Sequence, residues 1–183
     1  VKYALVCPVD VSMMVDKAVN GAIIYRTRIG DAFVSEEARS KKADFGGETS
    51  GTWIFPRISY CPDGIYAAAR LVELVSKNGK LSDAVDALPK FPLKRGGIKF
   101  AGGVDKARVM ELIKNEIDVS RAKDVNTLDG LRVGYEDGWI LVRPSGTEPK
   151  IRITAEAEDV DTLTKLYSKA ESIVKRCIKT CEP

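Results

Sequence analysis

The sequence predicts two domains in series, an α/β domain with a mostly parallel sheet followed by an α+β domain with an antiparallel one. Three observations carry this. Short apolar runs alternate with helical patterns through the first half, Pro89 and Pro92 break the chain near its middle, and an Asp137-Gly138 hairpin signal followed by a strictly alternating strand marks the second half. The predicted boundaries are 1–88, a linker over 89–92, and 93–183.

In the first half, Tyr3 to Cys7 reads as a buried strand. Ser12 can cap a short helix running to Val19, Gly21 stops it, and Ala22 to Tyr25 reads as a second strand. Ser35, followed by Glu36 and Glu37, starts another helix that ends near Lys42. The glycine-rich stretch Phe45-Gly46-Gly47-Glu48-Thr49-Ser50-Gly51 leads into a strand from Trp53 to Phe55, closed by Pro56. Strands separated by helices at this spacing argue for a mostly parallel layer. A longer helix begins at Asp63, carries Ile65, Ala68, Val72 and Val75 as apolar residues, and stops at Asn78-Gly79. Ser82 to Leu88 is a short helix ended by Pro89. Two prolines three apart in Leu88-Pro89-Lys90-Phe91-Pro92 suit neither helix nor central strand.

After the break the grammar changes to β-α-β-β-β-α. A strand near Leu93 to Phe100 precedes an amphipathic helix from Asp105 to about Ile117, with Val109, Leu112, Ile113 and Ile117 on one side. Leu131 to Tyr135 and Trp139 to Arg143 flank Asp137-Gly138, a pair that favours a two-residue hairpin turn. Lys150 to Ala157 alternates Ile151, Ile153, Ala155 and Ala157 inward with Lys150, Arg152, Thr154 and Glu156 on the other face. The last helix, Asp159 to Lys179, has acids in its first turn and Lys175, Arg176 and Lys179 near its end, the order that the helix dipole favours.

Composition narrows the chemistry. Of 183 residues 44% are hydrophobic, enough for real cores, and none is histidine. Without histidine there is no imidazole base or metal ligand and no Ser-His or Cys-His pair. Catalysis or binding must use Asp, Glu, Lys, Arg, Ser, Thr or Cys. The net charge of +3 is small and the signs are interspersed, which argues against a broad nucleic-acid surface; aromatic residues make up only 7% of the chain. No apolar run approaches the roughly 20 residues of a membrane span, and Val1-Lys2-Tyr3 does not begin a signal peptide. A cytoplasmic protein with no membrane partner is therefore expected. Cys7, Cys61, Cys177 and Cys181 form no C-x-x-C pair and are expected to be reduced thiols, with no metal held by this chain. The missing initiator Met suggests an excised or processed piece.

The segment richest in chemistry is Arg143-Pro144-Ser145-Gly146-Thr147-Glu148-Pro149-Lys150-Ile151-Arg152. Two prolines set its path, Gly146 permits a tight or left-handed turn, and Ser145, Gly146 and Thr147 offer three successive N–H groups and two hydroxyls, a nest of phosphate size. Arg143 and Arg152 add guanidinium forks that match phosphate better than lysine does.

This string resembles the phosphate-binding loop of the α-D-phosphohexomutase superfamily, which comprises phosphoglucomutases, phosphomannomutases and phosphoglucosamine mutases. Gly47-Glu48-Thr49-Ser50-Gly51 is similar to that family's sugar-binding loop, G-E-x-S-G, and Arg26-Thr27-Arg28-Ile29-Gly30-Asp31 resembles, more loosely, a further loop that helps choose the sugar. The resemblance covers essentially the whole chain and corresponds to the third and fourth of the family's four domains. It implies that Glu48, Ser50, Gly30 and Asp31 bind the sugar, and that Arg143, Ser145, Gly146, Thr147 and Arg152 hold the phosphate that is not reacting.

The resemblance further implies a bisphosphorylated intermediate that turns over between two phosphoryl transfers. The family's serine followed by His-Asn-Pro and its Asp-Gly-Asp-x-Asp-Arg magnesium loop have no counterpart here, so no catalytic or metal residue is assigned to this chain. Mg and a hexose 1,6-bisphosphate activator are expected of the full-length enzyme, with the missing N-terminal domains and a hexose phosphate as partners. The chain alone is expected to be inactive, and apolar surface exposed where those domains dock is expected to favour self-association. Thr52 stands where many members have His, so the motif does not choose the sugar. The competing reading is a non-catalytic phosphate- or nucleic-acid-binding α+β module. A dinucleotide site fails because Gly46, Gly47 and Gly51 do not form G-x-G-x-x-G after the first strand.

Overall fold

A computed structural model of the chain describes residues 3–182. It divides into two compact units, Val1–Lys90 and Phe91–Pro183, and the division lies within residues 87–92, which belong to no helix or strand.

The first unit contains β1 (Ala4–Pro8), α1 (Met14–Ala18), β2 (Ile23–Thr27), α2 (Asp31–Ser40), β3 (Phe45–Gly47), β4 (Trp53–Phe55), β5 (Ser59–Pro62), α3 (Gly64–Asn78) and α4 (Leu81–Asp86). Its sheet has the order β2-β1-β3-β4-β5. The three strands joined by helices are parallel, β1 lying between β2 and β3, because a crossover helix returns the chain to the same edge. The strands joined by short loops run antiparallel, β3 to β4 and β4 to β5, which makes the sheet mixed. β3 and β5 carry little local signal: Phe45-Gly46-Gly47 becomes a strand through its pairing with β1 and β4. Ser12 does precede α1, accepting the Met14 N–H at 3.0 Å. Ser35 does not start α2, which begins four residues earlier. Its hydroxyl instead donates to the Tyr60 carbonyl at 2.6 Å.

One face of this sheet packs on α2 through Val6, Val34, Ala38, Ala43 and Ile54, all buried. Each of the three larger side chains, Val6, Val34 and Ile54, contributes roughly 1.5–3 kcal/mol when fully buried, and the alanines less. On the opposite face Phe45, Phe55 and Tyr66 pack edge to face, with centroids 5.3 and 4.8 Å apart. Asp63 caps α3 by accepting the Tyr66 N–H. Of the expected apolar residues of α3, Ile65 is 87% and Val72 70% exposed, whereas Ala67 is buried. Ala67 and Leu71 line, with Phe45, Trp53 and Phe55, a cleft of about 350 Å³ between this helix and the sheet.

The second unit contains β6 (Leu93–Lys99), α5 (Lys106–Glu116), β7 (Asp124–Asn126), β8 (Leu131–Gly134), β9 (Gly138–Pro144), β10 (Lys150–Ala157) and α6 (Val160–Cys181). β7 is one strand more than the sequence pattern indicates. The sheet order is β6-β10-β9-β8-β7, antiparallel throughout. Its core joins one face of the sheet to α5 and α6 through Val109, Ile113, Val133, Ile140, Val142, Ile151, Ile153, Tyr167, Val174 and Cys177.

The other face is not simply solvated. Glu156 is 1% and Thr154 9% exposed. Glu156 accepts the Trp139 indole N–H at 2.7 Å from directly across the strand pair, and Arg132 lies over the Trp139 ring at 4.9 Å. A buried carboxylate is tolerable there because it is hydrogen-bonded.

Candidate functional site

Two sets of loops carry the candidate residues, one in each unit. In the first unit, β2 and β3 flank β1 in parallel, so their carboxyl ends open on one edge of the sheet, where α/β sheets commonly bind ligands. Residues 28–31 follow β2 and residues 48–52 follow β3. The Gly30 N–H donates to Glu48 Oε1 at 2.7 Å, and the Ser50 hydroxyl donates to Glu48 Oε2 at 3.0 Å. The second loop closes on itself through Glu48 N–H to Thr52 O at 2.9 Å and Ser50 Oγ to Thr52 Oγ1 at 3.3 Å.

Gly30 has φ +137°, a conformation that side chains rarely adopt, and a Cβ there would meet the Phe33 ring at 3.2 Å. Only glycine can present this N–H to Glu48 without strain. Asp31 begins α2, its carboxylate accepting the Ala32 N–H at 2.8 Å. Arg28 lies over the Phe33 ring at 4.7 Å. Arg26 is committed elsewhere, to the Pro8 and Val11 carbonyls and to Asp16. Glu48, Ser50 and Gly30 are thus brought into direct contact, with Asp31 next in the chain. A cleft of about 570 Å³ beneath this loop is lined mainly by apolar side chains, including Leu5, Met14, Val15 and Trp53. Its polar side chains, Ser12, Glu48 and Thr49, are few beside the apolar ones.

In the second unit the β9–β10 hairpin sets Arg143 directly opposite Arg152. Like charges at such positions repel, and each is balanced by a carboxylate: Arg143 Nη1 lies 3.4 Å from Asp129 Oδ2, and Arg152 Nη2 lies 2.9 Å from Glu148 Oε2. Ser145, 2% exposed, is tied down at every polar atom. Its N–H donates to Lys150 O at 2.8 Å, and its carbonyl accepts from Lys106 Nζ at 2.7 Å. Its Oγ accepts from the Glu148 N–H at 3.3 Å and from Arg152 Nη2 at 3.4 Å. With both lone pairs of that oxygen engaged, its proton is the part left to offer a ligand.

The loop therefore differs from a nest of three free amides, since the Ser145 N–H closes the hairpin. Gly146 does not have a positive φ. It leaves open space instead, because an added Cβ would meet nothing within 4 Å. The Gly146 and Thr147 N–H groups donate to no other group among the described residues.

Three contributors escaped sequence reasoning: Asp129, Gly130 and Lys106. Gly130 has φ +92°, and a Cβ there would run into the Val142 carbonyl and the Arg143 backbone, so its bareness lets the Asp129 turn pass close under Arg143. The signal for Asp129-Gly130 was present as a turn dipeptide. Nothing local connects Lys106 to a loop 39 residues away. Among the described residues no group of three or more Cys, Asp or Glu is placed so as to hold a metal ion. Among the same residues no helix is long and apolar enough to cross a membrane.

Comparison with known proteins places the chain. Residues 1–91 match the family described as phosphoglucomutase/phosphomannomutase, alpha/beta/alpha domain III, and residues 105–171 match phosphoglucomutase/phosphomannomutase, C-terminal domain. A probable phosphoglucosamine mutase of Methanocella arvoryzae is 68% identical over 181 residues, 99% of this chain and 41% of that protein. Another from Methanosarcina acetivorans is 51% identical over 180 residues, 97% of this chain and 40% of that protein. The chain thus spans about 40% of the length of these relatives.

Among solved structures, a phosphoglucomutase/phosphomannomutase family protein from Burkholderia thailandensis superposes with a TM-score of 0.80 at 24% identity, covering 100% of this chain and 38% of that one. Aspergillus fumigatus N-acetylphosphoglucosamine mutase, in complex with GlcNAc-6P and magnesium, superposes with a TM-score of 0.66 at 15% identity, covering 97% and 39%. At these identities the likeness is one of fold.

Proposed function

Because the chain belongs to the phosphoglucomutase/phosphomannomutase family, we propose that it is the substrate-binding part of a phosphohexomutase, the family's third and fourth domains, and that its substrate is a hexosamine phosphate. The names of relatives up to 68% identical support glucosamine as the sugar. Glu48 and Ser50 accept and donate to sugar hydroxyls from a loop held rigid by the Gly30 N–H. Arg143, Arg152, the Ser145 hydroxyl and the Gly146 and Thr147 N–H groups hold the phosphate remote from the chemistry. The observation that carries the reading is the cross-strand arginine pair beside a loop with open donors: two guanidinium groups at directly opposed positions are stabilised by an anion between them.

A phosphate clamp of this kind reads charge and shape, not the identity of the sugar carbon. It therefore suits a reaction in which either end of a bisphosphorylated sugar must be accepted in turn. The phosphoryl donor and the metal belong, on this reading, to a part of the enzyme that the chain does not include, so the chain by itself binds and does not turn over. Isothermal titration of the folded chain with glucosamine 6-phosphate, glucose 6-phosphate and mannose 6-phosphate tests this. The expected result is competition with inorganic phosphate and a loss of about tenfold or more in Arg143→Ala, as removal of one charge-assisted bond predicts. Absence of binding to any hexose phosphate at millimolar concentration, or binding indifferent to Arg143→Ala, would overturn the reading. Mutase turnover by the chain alone would overturn the inactivity.

A further inference from the structure

We propose that Lys106 is a positioning residue that aims the backbone of the phosphate loop; this rests on the phosphate reading given above. Lys106 is the first residue of α5, directly after the capping Asp105, and no acid lies in that helix's first turn. A cation at a helix N-terminus opposes the helix dipole, so nothing local favours lysine there. Its ammonium reaches a loop 39 residues further along the chain and donates to the Ser145 carbonyl at 2.7 Å.

The Ser145 carbonyl and the Gly146 N–H belong to one peptide plane. Among the described residues no peptide bond is cis, and in a trans peptide the C=O and N–H point in opposite directions. By anchoring the carbonyl on one side, Lys106 fixes the Gly146 N–H on the other, beside the glycine whose flank is open. A positive charge on the carbonyl oxygen also polarises the peptide and strengthens the N–H as a donor to an anion. The other polar atoms of Ser145 are held by Lys150, Glu148 and Arg152. Its carbonyl is the remaining freedom, since a peptide flip would turn the Gly146 N–H away from the ligand. Lys106 removes that freedom without touching the phosphate.

The test uses the full chain with Lys106→Met, which keeps the alkyl stem, and Lys106→Arg, which restores a cationic donor. Backbone NMR reads the Gly146 amide directly, and titration with inorganic phosphate reads the site. Lys106→Met is expected to shift the Gly146 amide proton upfield in the phosphate-free protein and to weaken phosphate binding at least fivefold. Lys106→Arg is expected to recover most of both. A merely structural role would lower the melting temperature without selectively moving the Gly146 amide.

The proposal is overturned if Lys106→Met binds phosphate within twofold of wild type, or if affinity falls while the Gly146 amide stays in place. If Lys106→Met does not fold, Lys106→Gln, which keeps a neutral donor, takes its place with the same criteria. A wild-type chain that binds no phosphate would defeat the phosphate reading, whereas a Gly146 amide that still moves on substitution would leave the aiming of the peptide intact.

Discussion

Replacing Glu48 by Ala removes the acceptor that ties the loop after β2 to the loop after β3. The Gly30 N–H donates to one carboxylate oxygen at 2.7 Å in a partly buried setting, and the Ser50 hydroxyl donates to the other at 3.0 Å in an exposed one. A hydrogen bond to a charged group contributes about 1.5–3 kcal/mol. Partial solvation places the Gly30 bond at the low end and reduces the Ser50 bond to a few tenths of a kcal/mol. Glu48→Ala should therefore destabilise the first unit by about 1.5–2 kcal/mol, which for a unit of this size lowers its melting temperature by roughly 6–16 °C.

Glu48→Gln discriminates geometry from charge, because an amide oxygen can keep the Gly30 N–H while its NH₂ donates to Ser50 Oγ. It should lose less than half as much stability. Both variants should weaken hexose phosphate binding, the alanine by about tenfold. Thermal unfolding followed by circular dichroism, with hydrogen exchange at the Gly30 amide, measures the tie; calorimetric titration measures binding. An alanine variant that melts with wild type and keeps Gly30 protected would refute the reasoning.

Further expectations follow from neighbouring contacts. Asp129→Asn and Glu148→Gln each release an arginine from a partly exposed ion pair of about 0.2–1 kcal/mol, so phosphate should bind up to about fivefold more tightly, as read by calorimetry at low salt. Weaker binding in both would mean that these acids help to order the arginines. Gly130→Ala forces a side chain into positive φ against the Val142 carbonyl and the Arg143 backbone; a loss of roughly 2–4 kcal/mol by urea denaturation is expected, accompanied by weaker phosphate binding.

The Cys177 thiol is pushed up to about 11 by burial first and then by the Glu116 carboxylate that it faces. Its contribution to stability is complete below the ordinary value of 9.0 and is lost as pH rises from there through 11, because the unfolded chain ionises first. Denaturation at pH 8, 9.5 and 10.5 should show a larger alkaline loss in wild type than in Cys177→Ala, where burial of the Tyr135 and Tyr167 phenols, which pushes both upward, still contributes near pH 10 and above. At pH 8 a thiol reagent should label exposed Cys61 and spare Cys177.

Much of the architecture was legible because it rests on local periodicity. The β10 alternation, the β8–β9 hairpin and the Asp-capped helices α3, α5 and α6 follow from side-chain spacing and capping chemistry that act within a few residues, although the hairpin's turn falls on Glu136 and Asp137 and Gly138 already belongs to β9. The two loops that carry the candidate residues were legible as residue types for the same reason. Ser35 misled, because a serine before glutamates looks like a cap until a carbonyl 25 residues away takes its hydroxyl. β3 and β5 were illegible because the three residues of β3, two of them glycine, and the four of β5, Ser59–Pro62, are too short to show a pattern and exist as strands through their partners. The polar face assigned to β10 was half right: Arg152 is solvated, while Glu156 is buried under a hydrogen bond to Trp139.

The sequence by itself determined which residues could meet an anion or a sugar, since hydroxyls, carboxylates, guanidinium groups and glycines bring their chemistry wherever they lie. It also excluded imidazole chemistry outright, because no fold can supply a missing side chain. Only the tertiary structure decided which of those groups are already engaged. The Ser145 N–H belongs to the hairpin, Glu48 is held by the amide of Gly30, Arg143 and Arg152 face each other between two acids, and Lys106 reaches Ser145 from another helix. Those assignments depend on strand register and helix placement, which bring together atoms far apart in the chain, and no short-range rule contains that information.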